Sequence, residues 1–385
     1  SGGNVVTAST YANYGTGGGA GGGHGTAGLN GGRATSYTSS SSYGPQSLPG
    51  SANGDANFSS GATTGFGGGG GGSHRYSSSY YHGGGAGGAG AGALTVIVNG
   101  TFDLKPSGLV DGAGGSGGST GGQFGGAGGG GAGGGFHCLA GHAQLDGLID
   151  LRGGRGGSKG FGYYSDYYAF GNAYSYGATR FGGDGGLGRC RIEAGNMGNV
   201  DEVRVFGALQ TAQINSLPTT SIGGISPPSQ WQSGGTLSFG NTTDVRYTSD
   251  LNVGSSAVVT LTGNKALRVW VDGNVTVDGT VRLNAAEASN ASSVQGTYPT
   301  TVESSSSSYY TAGLVYTYMG SSDRLSSDIP GWPGSMGGGS GGSGHQASTV
   351  TGSAANAYGK KAETGFGTSG GQVVIGGTST PGYYL

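Results

Sequence analysis

Leu94-Thr95-Val96-Ile97-Val98, Asn99-Gly100, Thr101-Phe102-Asp103-Leu104 and Gly108-Leu109-Val110-Asp111 make one passage in which apolar residues recur at alternate positions between turn formers. Period-2 alternation marks a half-buried strand. Asn-Gly reads as a tight turn, because both residues tolerate positive φ. The passage therefore reads strand, turn, strand, turn, strand. Three further passages follow the plan. They are Phe136-His137-Cys138-Leu139 through Leu148-Ile149-Asp150-Leu151, Arg189-Cys190-Arg191-Ile192-Glu193 with Val203-Arg204-Val205-Phe206, and Leu267-Arg268-Val269-Trp270-Val271 through Thr280-Val281-Arg282-Leu283. Glycine runs precede the first three, and Gly370-Gly371 precedes a further strand.

Between these passages the chain is dominated by glycine, 96 of 385 residues, against an average near 7%. Collagen needs glycine at every third position with abundant proline. The runs here are irregular, prolines number ten, and collagen is excluded. The same missing period argues against a bundle of glycine-rich polyproline-type helices. Disorder suits a Gly/Ser/Tyr-rich composition, but the alternating passages favour a β-rich repeat with glycine at turns and close backbone contacts. The expected fold is all-β, a short-stranded β-solenoid with long glycine-rich loops, and a β-sandwich of hairpins is the alternative.

Charged residues make up 9% of the chain and the net charge is −2, which removes the electrostatic footprint of a nucleic-acid binder. No apolar run approaches the roughly 20 residues needed to span a bilayer. The start at Ser1, without a charged or apolar leader, suits a mature secreted chain as well as an arbitrary cut.

A larger duplication sets two sub-domains. Residues 38–72 and 304–343 both run from poly-Ser/Tyr through a Pro-Gly turn to a glycine run. The expected organisation is a β-repeat unit at 1–210, a connecting segment at 211–250, and a second unit at 251–385 with an unfinished last rung. The two ends also match: Val5-Val6 near the start resembles Gln372-Val373-Val374-Ile375 near the close. An unfinished strand edge invites pairing with another chain, so these six residues are the candidate subunit interface of a head-to-tail assembly.

The run Gly131-Ala132-Gly133-Gly134-Gly135-Phe136 through Leu148-Ile149-Asp150-Leu151-Arg152-Gly153-Gly154, preceded by His24-Gly25, Tyr43-Gly44 and Pro49-Gly50, resembles the glycine-rich repeats of secreted bacterial surface proteins and adhesins. Related patterns occur in phage fibres. The likeness covers most of 15–210 and, more weakly, 250–385, while 210–265 departs from it. It implies an extracellular or cell-surface scaffold and brings no catalytic residues.

No residue is assigned a catalytic, cofactor or metal role. The closest approach to a phosphate loop, Gly154-Arg155-Gly156-Gly157-Ser158-Lys159-Gly160, lacks the hydroxyl after its lysine. Arg152-Gly153-Gly154-Arg155-Gly156-Gly157 reads as a turn with two solvated arginines. The acid pairs Asp146 with Asp150 and Glu193 with Glu202 read as solvated turn acids, and His137 and His142 as loop histidines. Cys138 and Cys190 sit at nearly the same place in successive copies and are expected to form a disulfide, or else to be two small core residues. Tyr163, Tyr164, Tyr167, Tyr168, Tyr309 and Tyr310 are candidate contact aromatics, since Tyr offers amphipathic area at low entropic cost. Asn57, Asn99, Asn241, Asn274 and Asn290 head glycosylation triplets. The leading expectation is a structural subunit that self-assembles into a filament, sheath or surface layer, with itself as partner. The alternatives are an adhesin or fibre module that contacts surface glycans, and a polysaccharide-acting enzyme.

Overall fold

A computed structural model describes residues 5–6, 19, 21–31, 33–35, 43–46, 87–118, 128–157, 182–198, 203–283, 336, 338, 373–375 and 378–380. Its strands are, in chain order, β1 (Val5–Val6), β2 (Arg33–Thr35), β3 (Tyr43–Gln46), β4 (Ala93–Leu104), β5 (Leu109–Asp111), β6 (Gly135–Leu145), β7 (Leu148–Asp150), β8 (Arg189–Met197), β9 (Arg204–Phe206) and β10 (Ala208–Gln213). There follow β11 (Gly235–Ser238), β12 (Asp244–Tyr247), β13 (Leu251–Val253), β14 (Val258–Thr262), β15 (Leu267–Val271), β16 (Val275–Val277), β17 (Thr280–Arg282), β18 (Val373–Ile375) and β19 (Thr378–Thr380). One helical turn, Gln230–Ser233, is the helix among the described residues.

Two sheets carry the molecule, and every strand pair in them is parallel. The larger runs β10-β8-β6-β4-β15-β12, with β16 beside β4 and β13 beside β16. The smaller runs β11-β14-β17-β5-β7-β9. The four alternating passages lie side by side, so that Leu267, Leu94, Phe136 and Cys190 form one row across the large sheet. Val269, Val96, Cys138 and Ile192 form the next. These rows face inward and join Val110, Ile149, Val259, Leu261 and Val281 of the small sheet in one buried core.

The expected short-stranded β-solenoid, with a β-sandwich of hairpins as its alternative, is corrected by this arrangement. The two longest strands run 12 and 11 residues, and the sheets are parallel rather than hairpin-built. Asn99-Gly100, read as a turn, is an irregularity inside the single strand β4. Gly100 sits there in close backbone contact: a Cβ would stand 2.9 Å from the Gly273 carbonyl oxygen. The turn at 105–108, closed by the Gly108 N–H on the Lys105 carbonyl at 2.8 Å, carries the chain from one sheet to the other instead of folding it back on itself.

Strand order also departs from chain order. After β10 the stretch 214–224 passes from one edge of the large sheet to the other, where Ile225 bridges Tyr247 of β12. Residues 244–282 then add strands beside β4 and β5, so the boundary expected at 211–250 does not divide the core. Trp231 of the helical turn closes the β11/β12 end, its Nε1–H donating to the Tyr247 hydroxyl at 3.2 Å.

Candidate functional site

Parallel neighbours need long crossovers, usually made by a helix. Here paired glycine segments make them. Residues 112–118 lead away from β5 and 128–134 lead back into β6, while 151–157 and 182–188 do the same between β7 and β8. Segment 128–134 shows how they pack. Gly128, Gly131 and Gly134 donate to the carbonyls of Gly118, Gly115 and Gly112 on one neighbour, at 2.8 to 2.9 Å. Gly130 and Gly133 donate to Gly183 and Gly186 on another. The carbonyls of Gly128 and Gly131 accept from Gly157 and Gly154, and those of Gly129 and Ala132 from Gly88 and Ala91. Each neighbour is met at every third residue, which is the repeat of a polyproline II-type helix, three residues per turn with no internal hydrogen bonds.

The irregular glycine runs therefore do form a bundle of polyproline-type segments, contrary to the expectation from their missing period. A Cβ on Gly131 would lie 1.9 Å from the Ala89 carbonyl oxygen, and one on Gly154 would lie 1.9 Å from that of Gly115. Glycine is required here by backbone-to-backbone contact, since Gly234, Gly235 and Gly240 alone among the described glycines have positive φ. At about 3.1 Å per residue the layer extends roughly 20 Å beyond the sheets. Arg152-Gly153-Gly154-Arg155-Gly156-Gly157 is one of these segments and not a turn; Arg152 and Arg155 are exposed at every third place.

The register brings the connections to one end. The Gly128 N–H meets the Gly118 carbonyl at 2.8 Å, so stretch 119–127 departs and returns at one place. The Gly182 N–H meets the Gly157 carbonyl at 2.9 Å, and Gly130 lies against Gly183, so 158–181 departs and returns beside it. Gly183 also meets Gly19, which puts the departure toward residues 1–18 at the same end. Stretch 158–181 contains Tyr163, Tyr164, Tyr167, Tyr168, Tyr174 and Tyr176. These tyrosines lie outside the described residues, as do Tyr309, Tyr310, Gln372, Asn57, Asn290 and Glu202.

Of the other expected positions, Asn99, Asn241 and Asn274 are exposed, and the Asn274 amide oxygen accepts the Thr101 N–H at 2.9 Å. Val5 and Val6 pair in parallel with Val373 and Val374 of the same chain, and Val373–Ile375 pairs with Thr378–Thr380. Cys138 and Cys190 are free thiols, fully buried, and burial pushes both thiols up in pKa. Cys190 stands opposite Phe136, two residues out of step with Cys138. That stagger separates the Cα atoms by about 8 Å, beyond the roughly 7 Å a disulfide spans.

Charges on the outward face are matched both along and across strands. The buried His137 ring meets Glu193 at 3.0 Å, and Arg191 also bonds that carboxylate. Burial holds the His137 pKa below its ordinary value despite Glu193. Burial raises that of Glu193, but hydrogen bonds from Arg191 and His137 outweigh it and leave the group lowered. Asp150 is bound by Arg152 at 2.6 Å and the neighbouring Asp111 by Arg282 at 3.1 Å, while His142 stands in register with Thr101 and Asn196. The Asp111, Asp150 and Glu193 carboxylates are thus each met by an arginine. No cluster of three metal-ligating side chains exists among the described residues. No helix among them is long and apolar enough to cross a membrane. The His137–Glu193 pair escaped sequence reading because it joins residues far apart in the chain. Comparison with family models, curated proteins and solved structures finds no match.

Proposed function

We propose that this chain is an extracellular, adhesin-type module that contacts a surface glycan through the stretches at the far end of the glycine layer. One observation carries the reading: the three-residue hydrogen-bond register delivers 119–127 and the tyrosine-rich 158–181 to the same end of a tightly packed layer. The backbone-bonded layer carries the ends of both stretches away from the core, and the Tyr and Ser in their sequence are residue types that supply rigid amphipathic area and adaptable hydrogen bonds. The test is a glycan array with the full chain and with a variant in which 158–181 is replaced by two glycines, a short bridge across the 2.9 Å Gly157–Gly182 contact. Signal from the full chain that disappears in the variant, with the melting transition retained, supports the reading. A flat array, or equal signal from both proteins, overturns it.

Self-assembly remains as a second reading on a different surface from the one first expected. Val5–Val6 pairs with Val373–Val374 within the chain, and among the described residues β9 and β10 are the outermost strands at one end of the two sheets, with Phe206 46% and Leu209 41% exposed. Unpaired edges with apolar side chains template association. Sedimentation over a concentration series should show association that Leu209→Lys abolishes; a monomer throughout removes this reading.

A further inference from the structure

The stretch 214–224 covers part of the outward face of the large sheet and leaves a cleft of about 150 Å³ beneath it. Pro218, Thr219 and Thr220 form its roof. Ile97 of β4 and Trp270 of β15, opposite one another in register, form its floor and are only 3% and 6% exposed. The indole is held in place from beside: its Nε1–H donates to Asp244 Oδ1 at 3.3 Å, and the Arg268 guanidinium lies 6.0 Å from the ring. The end wall is an ion pair. Arg246 Nε and Nη2 donate to the two oxygens of Asp272 at 2.9 and 3.0 Å, and Nη1 donates to the Ile222 carbonyl at 3.2 Å, which ties the strap to the sheet.

We propose that this cleft binds one neutral pyranose ring. The bidentate pair cancels the only charges in the lining among the described residues, and leaves an ionic ligand no counter-charge there. Ile97 and Trp270, though mostly covered, turn a small apolar edge to the cleft that suits the C–H edge of a sugar. The lining also includes residue types suited to its hydroxyls: Asn99, Thr219, Thr220 and Asp272. The Thr220 hydroxyl accepts the Ile222 N–H at 3.2 Å and keeps its own proton to donate. The size selects a single ring, because pockets for larger ligands span about 300–1,000 Å³. This site lies on the sheets and is separate from the far end of the glycine layer; neither reading depends on the other.

Titration calorimetry and saturation-transfer NMR of the full chain with the methyl glycosides of glucose, galactose, mannose and N-acetylglucosamine test it. At least one should saturate with a Kd of about 1 mM, as expected for a ligand of this size. Thr219→Arg introduces bulk from an exposed strap position and should weaken binding by at least roughly tenfold, with Asn99→Ala weakening it less. Replacing 158–181 with two glycines should leave it unchanged. Absence of saturation up to about 100 mM overturns the proposal, as does binding undiminished by Thr219→Arg in a protein that melts normally. Binding lost only when 158–181 is replaced also overturns it, and moves the sugar to the far end of the layer.

Discussion

His24 stands at a turn whose N–H bonds the Thr26 carbonyl at 3.0 Å, and its imidazole is wholly enclosed. Nδ1–H donates to the Gly133 carbonyl at 2.7 Å, and Nε2 has no hydrogen-bond partner among the described residues. Burial pushes the pKa down to about 4, with the neighbouring Arg189 charge acting in the same direction and the bond to Gly133 opposing them. In the unfolded chain the ring titrates near 6.5. Between those values the unfolded state binds a proton that the folded state refuses. Stability is therefore full above about pH 6.5 and falls as the pH drops toward 4, by about 3 kcal/mol from this residue. His137, also lowered by burial, adds a loss of the same sign. His24→Asn keeps an N–H for Gly133 without a titrating ring. Urea unfolding near pH 7 and near pH 4 should show a difference smaller by about 3 kcal/mol in the variant than in the parent. Equal differences in the two proteins would show that His24 is not held neutral.

At the scale of elements, the glycine segments make a sharper claim than composition could. In 151–157 the exposed residues Arg152 and Arg155 recur every third place, and the glycines between them face backbone. A Cβ would stand 2.0 Å from a carbonyl oxygen at Gly153, 1.9 Å at Gly154 and 2.0 Å at Gly156. Alanine at each of those three positions should cost about 1–3 kcal/mol through overpacking against backbone that cannot yield. Arg155→Ala, on the exposed face, should stay within about 0.5 kcal/mol. Chemical denaturation across the segment would then trace a period of three, and a uniform loss or a period of two would rule out the polyproline-type geometry. The period was visible here in Arg-Gly-Gly-Arg-Gly-Gly and again in Asp184-Gly185-Gly186-Leu187. It is invisible in 128–134, where neighbours surround the segment and small residues are needed throughout. The tightest packing therefore erased the pattern that would have identified it. Strand alternation was legible where the outward face stays partly open: Leu94, Val96 and Val98 are inward and buried and Thr95 is half-buried, whereas the outward-facing Ile97 is buried as well. Asn99-Gly100 misled because glycine serves two ends, positive φ and close approach, and sequence does not distinguish them. The cleft beneath 214–224 was not legible at all, since its roof comes from a stretch without periodicity and its floor from two strands more than a hundred residues apart.

For the whole molecule, the return of the chain along 214–224 decides how it comes apart. Had residues 251–385 formed a unit of their own, each half would have closed its own core. Instead β15, β16 and β17 pair with β4 and β5, and Leu261 and Ile192, both fully buried, belong to one apolar cluster. The interface between the halves is thus made of sheet hydrogen bonds and core side chains together, and breaking it exposes both. Unfolding of the sheets should be a single cooperative transition. Leu261→Ala and Ile192→Ala each empty a closed site and should each cost about 2–5 kcal/mol, although they lie in different sheets and on opposite sides of the β4/β5 pairings. Both substitutions should lower the same calorimetric transition, because a loss anywhere in a shared core is felt by the whole of it. Two transitions, one moved by Leu261→Ala and the other by Ile192→Ala, would mean that the halves fold separately and that the parallel pairing of β15 with β4 is an interface between domains rather than the interior of one.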